Sequence, residues 1–166
     1  MEPPKRKPLR LKGYDYSQNG AYFVTICTKD RAPVFGHLVG GGLRAAPHVA
    51  LTSIGIAVEQ AILTIPEINP GVECEIYCIM PDHVHLMVVL TGRHGDRPLP
   101  EVMKRFKSYT DHLYREISGI PLWQRGYYEH VIRNQHDFDA AAEYIQTNPA
   151  RWLERQPDHP LRKEML

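Results

Sequence analysis

Residues 72–90, with the sequence VECEIYCIMPDHVHLMVVL, contain two apolar runs that are separated only by Pro81 and Asp82. Each run has the length and the β-branched, apolar composition that favour a strand. A connection of two residues is too short for a crossover, so it joins neighbouring antiparallel strands. The segment therefore predicts a buried hairpin with strands over 72–80 and 83–90, and this hairpin restricts the fold more than any other feature of the chain.

The order of the other predicted elements identifies the fold class. Further strands are predicted over 21–28 and 127–132, and helices over 54–65, about 99–117 and 137–148, the last expected to end at Pro149. Segment 39–48 is expected to be a loop or a loosely formed hairpin. The resulting β-α-β-β-α-β-α order predicts an α+β, ferredoxin-like split βαβ fold. Such a fold has an antiparallel sheet with helices on one face, to which this chain adds a C-terminal helix.

Composition and charge limit the class of protein. A chain of 166 residues, 43% of them hydrophobic, can bury one compact core. Its apolar runs are too short to span a membrane, and its basic, proline-rich start lacks the apolar region of a secretory signal. The three cysteines form no CxxC motif, so we expect reduced thiols and a cytoplasmic location. A net charge of +1 restricts any nucleic-acid contact to a local basic surface.

Two histidines lie one residue apart at the start of the second hairpin strand. Side chains at positions i and i+2 of a strand point to the same side, so His83 and His85 project together. Paired imidazoles suit a divalent metal ion, although two ligands alone hold an ion poorly. The alternative is a hydrogen-bonded pair of histidines at a strand edge.

The last predicted helix carries a second pair of polar side chains. Tyr144 and Asn148 are four residues apart, so they share one helical face. A phenol and a carboxamide could therefore meet the sheet edge together, with the Asn148 oxygen as a third metal ligand. The alternative is that Asn148 caps the end of the helix and Tyr144 only packs.

These motifs resemble those of a known family. PDHVHL resembles the His-hydrophobic-His motif of the HUH endonuclease superfamily, and EYIQTNP resembles the helix that bears the nucleophile of its single-tyrosine transposases. The blocks RLKGYDYSQNGAYFVTICT, MPDHVHL, FKSYT, WQRGYYEHVIRN and DFDAAAEYIQTNPARW together resemble the REP-associated tyrosine transposases, relatives of small insertion-sequence transposases. The resemblance covers most of residues 8–152.

The resemblance implies a function and a set of roles. It implies a transposase domain over 13–152, between a basic arm (1–12) and a tail (153–166). It makes Tyr144 the nucleophile, and His83, His85 and Asn148 the ligands of Mg²⁺ or Mn²⁺. The implied activity is cleavage and rejoining of single-stranded DNA through a 5′-phosphotyrosine, with DNA hairpins as the expected substrate. Tyr128 is a distant second choice of nucleophile.

The basic residues suggest candidate DNA contacts, and two other functions are alternatives to strand transfer. Basic side chains are expected to contact DNA, although each is also consistent with a solvated surface charge: Lys5, Arg6, Lys7, Arg10, Lys104, Lys107, Arg125 and Arg133. Trp123 and Trp152 are expected to be packing anchors. A non-catalytic DNA-binding protein on the same fold, and a metal-dependent hydrolase that activates water, are the alternatives. The chain is expected to act as a monomer or a homodimer.

Overall fold

A computed structural model describes residues 11–40, 45–92 and 97–155 of the chain. Its strands are β1 (Gly20–Cys27), β2 (Gly36–Val39), β3 (His48–Leu51), β4 (Val72–Met80), β5 (His83–Leu90) and β6 (Tyr128–Ile132). Its helices are α1 (Ser53–Leu63), α2 (Ile65–Ile68), α3 (Leu99–Ser118) and α4 (Gln135–Arg155), and a short 3₁₀ turn covers Lys29–Arg31. Within these ranges, every helix is too short or too polar to cross a lipid bilayer.

The main sheet has four strands in the order β4-β5-β1-β6. All three pairings are antiparallel, and β4 and β5 have the predicted bounds. The helix α1 connects β1 to β4 through the small β2–β3 hairpin, and α3 connects β5 to β6. This arrangement confirms the predicted ferredoxin-like split βαβ fold.

The two faces of the sheet are covered by different helices. Along β5, Val84, Leu86 and Val88 point into a core that they share with α1 and α3. The intervening side chains, which include His83 and His85, point to the opposite face, where α4 packs against β4 and β5. The prediction of helices on one face plus a C-terminal helix is therefore confirmed, and the extra helix lies on the other face. Both faces of β5 are buried, which explains its nearly continuous apolar sequence.

The loop predicted over 39–48 lies between two short paired strands. Gly36 pairs with Leu51 and Val39 with His48, so the hairpin alternative is the correct one for the described residues. The hairpin also extends further than predicted on both sides. Thr52 then caps α1, because its side chain accepts a hydrogen bond from the Gly55 amide.

The prediction that the last helix ends at Pro149 is wrong, because α4 continues through Pro149 to Arg155. Proline has no amide hydrogen, so it removes the hydrogen bond that Ile145 would accept within the helix. Packing compensates for that loss, since Ile145, Asn148 and Leu153 are all buried on both sides of the proline. The continuation from Pro149 to Arg155 adds about two turns to the predicted helix.

The loop before β6 is fastened to the helix α3. The ring of Trp123 packs against Phe106, and its indole Nε1 donates a hydrogen bond to Thr110 Oγ1 at 2.9 Å. Lys107 Nζ donates to the carbonyls of Gln124 (2.8 Å) and Gly126 (2.7 Å). Lys107 was predicted to contact DNA. Its ammonium instead fastens this loop, and burial lowers its pKa.

The substitution Thr110→Val is expected to destabilise the protein by about 1–3 kcal/mol, because it leaves the buried Trp123 N–H without an acceptor. The side chain of Thr110 is completely buried, so water cannot replace the lost oxygen. Urea unfolding measures the change. Ser108→Ala, on the exposed side of the same helix, is the control and should change stability by no more than about 0.5 kcal/mol. Equal stability of the two variants would contradict this account of the loop.

Candidate active site

The two predicted histidines form a compact pair at the start of β5. Their Nε2 atoms are 3.1 Å apart, and both side chains are buried. The outer nitrogen of each ring has its own partner: His83 Nδ1 contacts Asp82 Oδ1 at 2.6 Å, and His85 Nδ1 contacts Thr25 Oγ1 at 2.8 Å. Thr25 is available because it lies opposite His85 in the β1–β5 register. Both rings are thus oriented so that their Nε2 atoms converge.

Asp82 connects the histidine pair to a cation on a distant part of the chain. Its second carboxylate oxygen, Oδ2, forms an ion pair with Arg31 Nε at 3.0 Å. Arg31 lies in the 3₁₀ turn that follows β1, where its backbone adopts a φ of 56°. A carboxylate behind a ligating histidine fixes the tautomer and orientation of the ring. Asp82 was not predicted as a site residue, although its position directly before His83 was a usable signal.

The environment keeps both imidazoles neutral. Burial lowers the pKa of His83, although the hydrogen bond that its Nδ1–H donates to Asp82 opposes the shift. Burial, together with repulsion from His83 and Arg31, lowers the pKa of His85 to about 3. A neutral imidazole is the form that binds metals. It also allows one Nε2–H to donate to the other Nε2, which accounts for their separation of 3.1 Å.

Tyr144 lies directly against the histidine pair. Its ring meets the His85 ring edge-on, with 5.4 Å between centroids, and it meets Phe23 in the same manner at 5.8 Å. On another side, the guanidinium carbon of Arg151 is 5.5 Å from the centre of the tyrosine ring. The Nε atom of Arg151 donates to Thr147 Oγ1 at 2.9 Å, which holds the guanidinium in place. The helix α4 therefore brings the predicted nucleophile to the predicted metal ligands within one chain.

Asn148 lies one turn further along α4 and is only 5% exposed. It does not end the helix, so the alternative role as a C-terminal cap is wrong. Its carboxamide lines the same cleft as the imidazoles and makes no hydrogen bond within the described residues. A buried amide without a protein partner is suited to bind an exogenous group. Gln146, by contrast, is exposed on the outer side of the helix.

The donor set fits a divalent metal ion. An imidazole nitrogen lies about 2.0–2.1 Å from a bound Zn²⁺, so one ion can contact two nitrogens that are 3.1 Å apart. No group of three or more His, Cys, Asp or Glu side chains is placed to hold a metal in the described part of the chain. The candidate ligands are therefore two imidazoles and one amide, a set that leaves coordination positions for other oxygen ligands.

These side chains surround an open cleft of about 360 Å³. It is lined by Phe23, Thr25, Arg31, His83, His85, Tyr128, Tyr144, Asn148, Arg151, Trp152 and Arg155. Two of these residues, the arginines of the last helical turns, were not predicted as site residues. Arg151 and Arg155 follow Tyr144 by seven and eleven residues, a spacing that keeps a side chain on one helical face. This signal was lost because the helix was predicted to end at Pro149.

The residues predicted to contact DNA are distributed differently. Lys5, Arg6, Lys7 and Arg10 lie outside the described residues. Lys104 is exposed on α3, which covers the face of the sheet opposite the cleft, and Arg133 is exposed directly after β6. Arg125 lines a second cleft, beside Lys29. Lys107 is engaged by backbone carbonyls, so we do not include it in the proposed DNA interface.

Comparison with known proteins identifies the family. Residues 16–148 match the family model described as "Transposase IS200 like". The chain is 32% identical to an uncharacterized Haemophilus influenzae protein over 91% of this chain and 92% of that protein. It is 24% identical to a REP-associated tyrosine transposase of Escherichia coli K12 over 87% of this chain and 76% of the relative. The chain therefore belongs to the IS200-like transposase family, and it is homologous to the REP-associated tyrosine transposases.

A solved structure has the same fold. It is that of a REP-associated tyrosine transposase bound to a REP hairpin, with a TM-score of 0.63 and 22% identity. The similarity covers 86% of this chain and 74% of that one. The family resemblance found in the sequence motifs is confirmed by the family match and by the transposase relative.

The buried histidines predict a loss of stability in mild acid. His85 has a lower pKa in the folded protein than its ordinary value of 6.5, so below pH 6.5 the unfolded chain binds a proton that the folded chain does not. Without metal, the lowered pKa of His85 should therefore reduce the free energy of unfolding by about 1 kcal/mol between pH 7.0 and 5.5, and this contribution should be nearly constant above pH 7. Urea titrations in EDTA measure this difference. His85→Gln should reduce the pH dependence, and an unchanged slope in that variant would contradict the assignment.

Proposed function

We propose that the chain is a single-strand DNA endonuclease and strand transferase that cleaves and rejoins DNA through a 5′-phosphotyrosine on Tyr144. Membership of the IS200-like transposase family supports DNA strand transfer as the reaction class. The single observation that carries the assignment of residues is the contact of the Tyr144 ring with His85 in the cleft that also contains Asn148. A phenol beside two neutral imidazoles combines a nucleophile with a candidate metal site.

The reaction is an exchange of phosphodiester partners. The phenol oxygen of Tyr144 attacks the scissile phosphorus, and its proton is released to solvent. The bond between phosphorus and the 3′ oxygen breaks, and that oxygen takes up a proton to become a free 3′-OH. A second 3′-OH then attacks the phosphotyrosine, restores the phenol and joins the strands. Because the phosphotyrosine bond retains the energy of the broken phosphodiester bond, rejoining needs no ATP. Hydrolysis by water would release that energy, and the strands could not be rejoined in this way.

His83, His85 and Asn148 would hold the divalent metal ion, which we propose to be Mg²⁺ or Mn²⁺. When bound, such an ion polarises the scissile phosphate and neutralises the charge that develops on it. Asp82 and Thr25 position the two imidazoles through their Nδ1 atoms. The packing of α4 against β4 and β5 fixes the nucleophile relative to those rings.

Arginine and aromatic side chains of the cleft suit a single DNA strand. Arg31 is about half exposed while it pairs with Asp82, and Arg151 lies over the Tyr144 ring. Both guanidinium groups can donate to phosphate oxygens at the cleavage point. Tyr128 is 53% exposed at the wall of the cleft, and its ring can stack on an unpaired base.

The substrate that we propose is a DNA hairpin with unpaired flanking nucleotides. The homologous structure with the same fold is bound to a REP hairpin, which supports this choice. One chain contains the nucleophile and all three candidate ligands, so cleavage within a single subunit is the simplest arrangement, in a monomer or in each subunit of a homodimer. A cytoplasmic location remains an expectation.

The substitution Tyr144→Phe is expected to abolish covalent attachment to DNA, because it removes the attacking oxygen and retains the ring contacts. The protein is incubated with a panel of single-stranded hairpin oligonucleotides and Mg²⁺ or Mn²⁺, and denaturing electrophoresis detects the adduct. Tyr128→Phe, in the same cleft, is the matched control and should retain the adduct.

Three outcomes of this assay would overturn the assignment. Survival of the adduct in Tyr144→Phe would make another residue the nucleophile. Cleavage without any adduct would favour a hydrolase that activates water, and binding without cleavage would favour a non-catalytic DNA-binding protein.

The substitution Asp82→Asn is expected to weaken Mn²⁺ binding by about 10–100-fold, because the ring of His83 loses the carboxylate that orients it. Titration followed by electron paramagnetic resonance measures free Mn²⁺ directly and requires no cleavage. Asp137→Asn is a matched control, since that carboxylate pairs with His130 and does not line the cleft. Equal affinity of both variants and the parent protein would remove Asp82 from the proposed metal site.

A further inference from the structure

A second cleft opens beside the proposed active site. It has a volume of about 470 Å³ and is lined by Lys29, Asp30, Pro121, Trp123, Gln124 and Arg125. Two short segments contribute to both clefts. In the 3₁₀ turn, Asp30 lines the second cleft and Arg31 lines the first. Arg125, which precedes β6, lines the second cleft, and Tyr128, the first residue of β6, lines the first cleft. Because these residues are three positions apart, their Cα atoms are separated by at most about 11 Å.

The wall of the second cleft is rigidly held by backbone contacts. The Gln124 amide donates to the Cys27 carbonyl at 2.9 Å, and the Lys29 amide donates to the Leu122 carbonyl at 2.8 Å. Lys107 Nζ also donates a hydrogen bond to the carbonyl of Gln124. These bonds use main-chain groups, so the exposed side chains of Lys29 and Gln124 stay available for a ligand.

The turn between the clefts has an unusual backbone. Asp30 and Arg31 both adopt a φ of 56°, in the left-handed region that residues other than glycine rarely occupy. Strained residues of this kind persist only where the surrounding structure holds them. Here the ion pair of Arg31 with Asp82 and the bond from the Lys29 amide hold the turn. Its effect is that two consecutive side chains line different clefts.

We propose that the second cleft binds an unpaired nucleotide of the DNA strand whose phosphate occupies the first cleft. This inference rests on the proposed function and deepens it. Lys29 and Arg125 supply cations for the sugar–phosphate backbone. The carboxylate of Asp30 only accepts hydrogen bonds, and the Gln124 carboxamide both donates and accepts, so together they can distinguish base edges. The subsite therefore selects the base next to the cleavage point.

The first test is equilibrium binding, which does not depend on cleavage. Fluorescence anisotropy with short labelled strands of dA, dC or dT measures the base preference of the full chain. The parent protein should discriminate between the strands by roughly 5–100-fold. Combined Asp30→Ala and Gln124→Ala substitutions should reduce that ratio to near one. Gln146→Ala, on the outer side of α4, is the matched control and should leave the ratio unchanged.

A charge variant tests the backbone contacts separately. Combined Lys29→Ala and Arg125→Ala substitutions should weaken binding of all three strands to a similar extent. They should also make the slope of log K against log salt concentration less steep by about 1.4, which is roughly 0.7 for each lost phosphate contact. Equal affinities of the parent protein for all strands, or a preference that survives in the Asp30–Gln124 variant, would overturn the subsite. So would an unchanged salt dependence in the charge variant.

Covalent capture from a random single-stranded library then locates the subsite on the substrate. Sequencing of strands attached to the parent protein should show a base preference within one or two nucleotides of the tyrosine-linked phosphate. The Asp30–Gln124 variant should lose the preference at that position only. An identical sequence profile in the variant would overturn the inference. A different result would separate the two proposals. If no adduct forms, but the parent protein discriminates between the strands in the binding assay and the Asp30–Gln124 variant does not, the proposed function is overturned and the subsite is supported.

Discussion

The pairing of β5 between β4 and β1 is the physical constraint on which the candidate site depends. Strand alternation directs His83 and His85 to one face, and the register with β1 puts Thr25 behind His85. The tight connection to β4 puts Asp82 behind His83. A shift of the register by one residue would turn both imidazoles into the apolar core and Val84 into the cleft. Because both faces of β5 are buried, such a shift is strongly disfavoured, and the metal ligands are fixed by the same burial that stabilises the sheet.

The nucleophile depends on a second packing contact, that of α4 with the opposite face of the sheet. Ile145 and Leu153 are buried on either side of Pro149, and this burial maintains a helix that local preferences would end. Tyr144, Asn148 and Arg151 share the face that lines the cleft. The residues to which we assign the chemistry therefore lie on the sheet and its β4–β5 connection, on this helix and in the turn that carries Arg31. Rigid elements of this kind hold reacting groups in a productive geometry.

The sequence predicted those features that depend on periodic or short-range patterns. The hairpin bounds, the shared side of His83 and His85, and the shared face of Tyr144 and Asn148 all follow from the periods of strands and helices. The features that it missed depend on contacts between distant segments. Arg31 pairs with Asp82 across about fifty positions of sequence, through a left-handed turn that no residue type in it predicts. The helix beyond Pro149, and the burial of the Lys107 ammonium, reflect tertiary packing that outweighs a local rule.

The most direct test of the account is to identify the residue that becomes attached to DNA. After incubation with hairpin DNA and Mg²⁺ or Mn²⁺, nuclease and trypsin digestion followed by mass spectrometry locates the residual nucleotide. We expect the nucleotide on the tryptic peptide of residues 134–151, in which Tyr144 is the sole tyrosine. A nucleotide on the peptide of residues 126–133, which contains Tyr127 and Tyr128, or on any other part of the chain, would contradict this expectation.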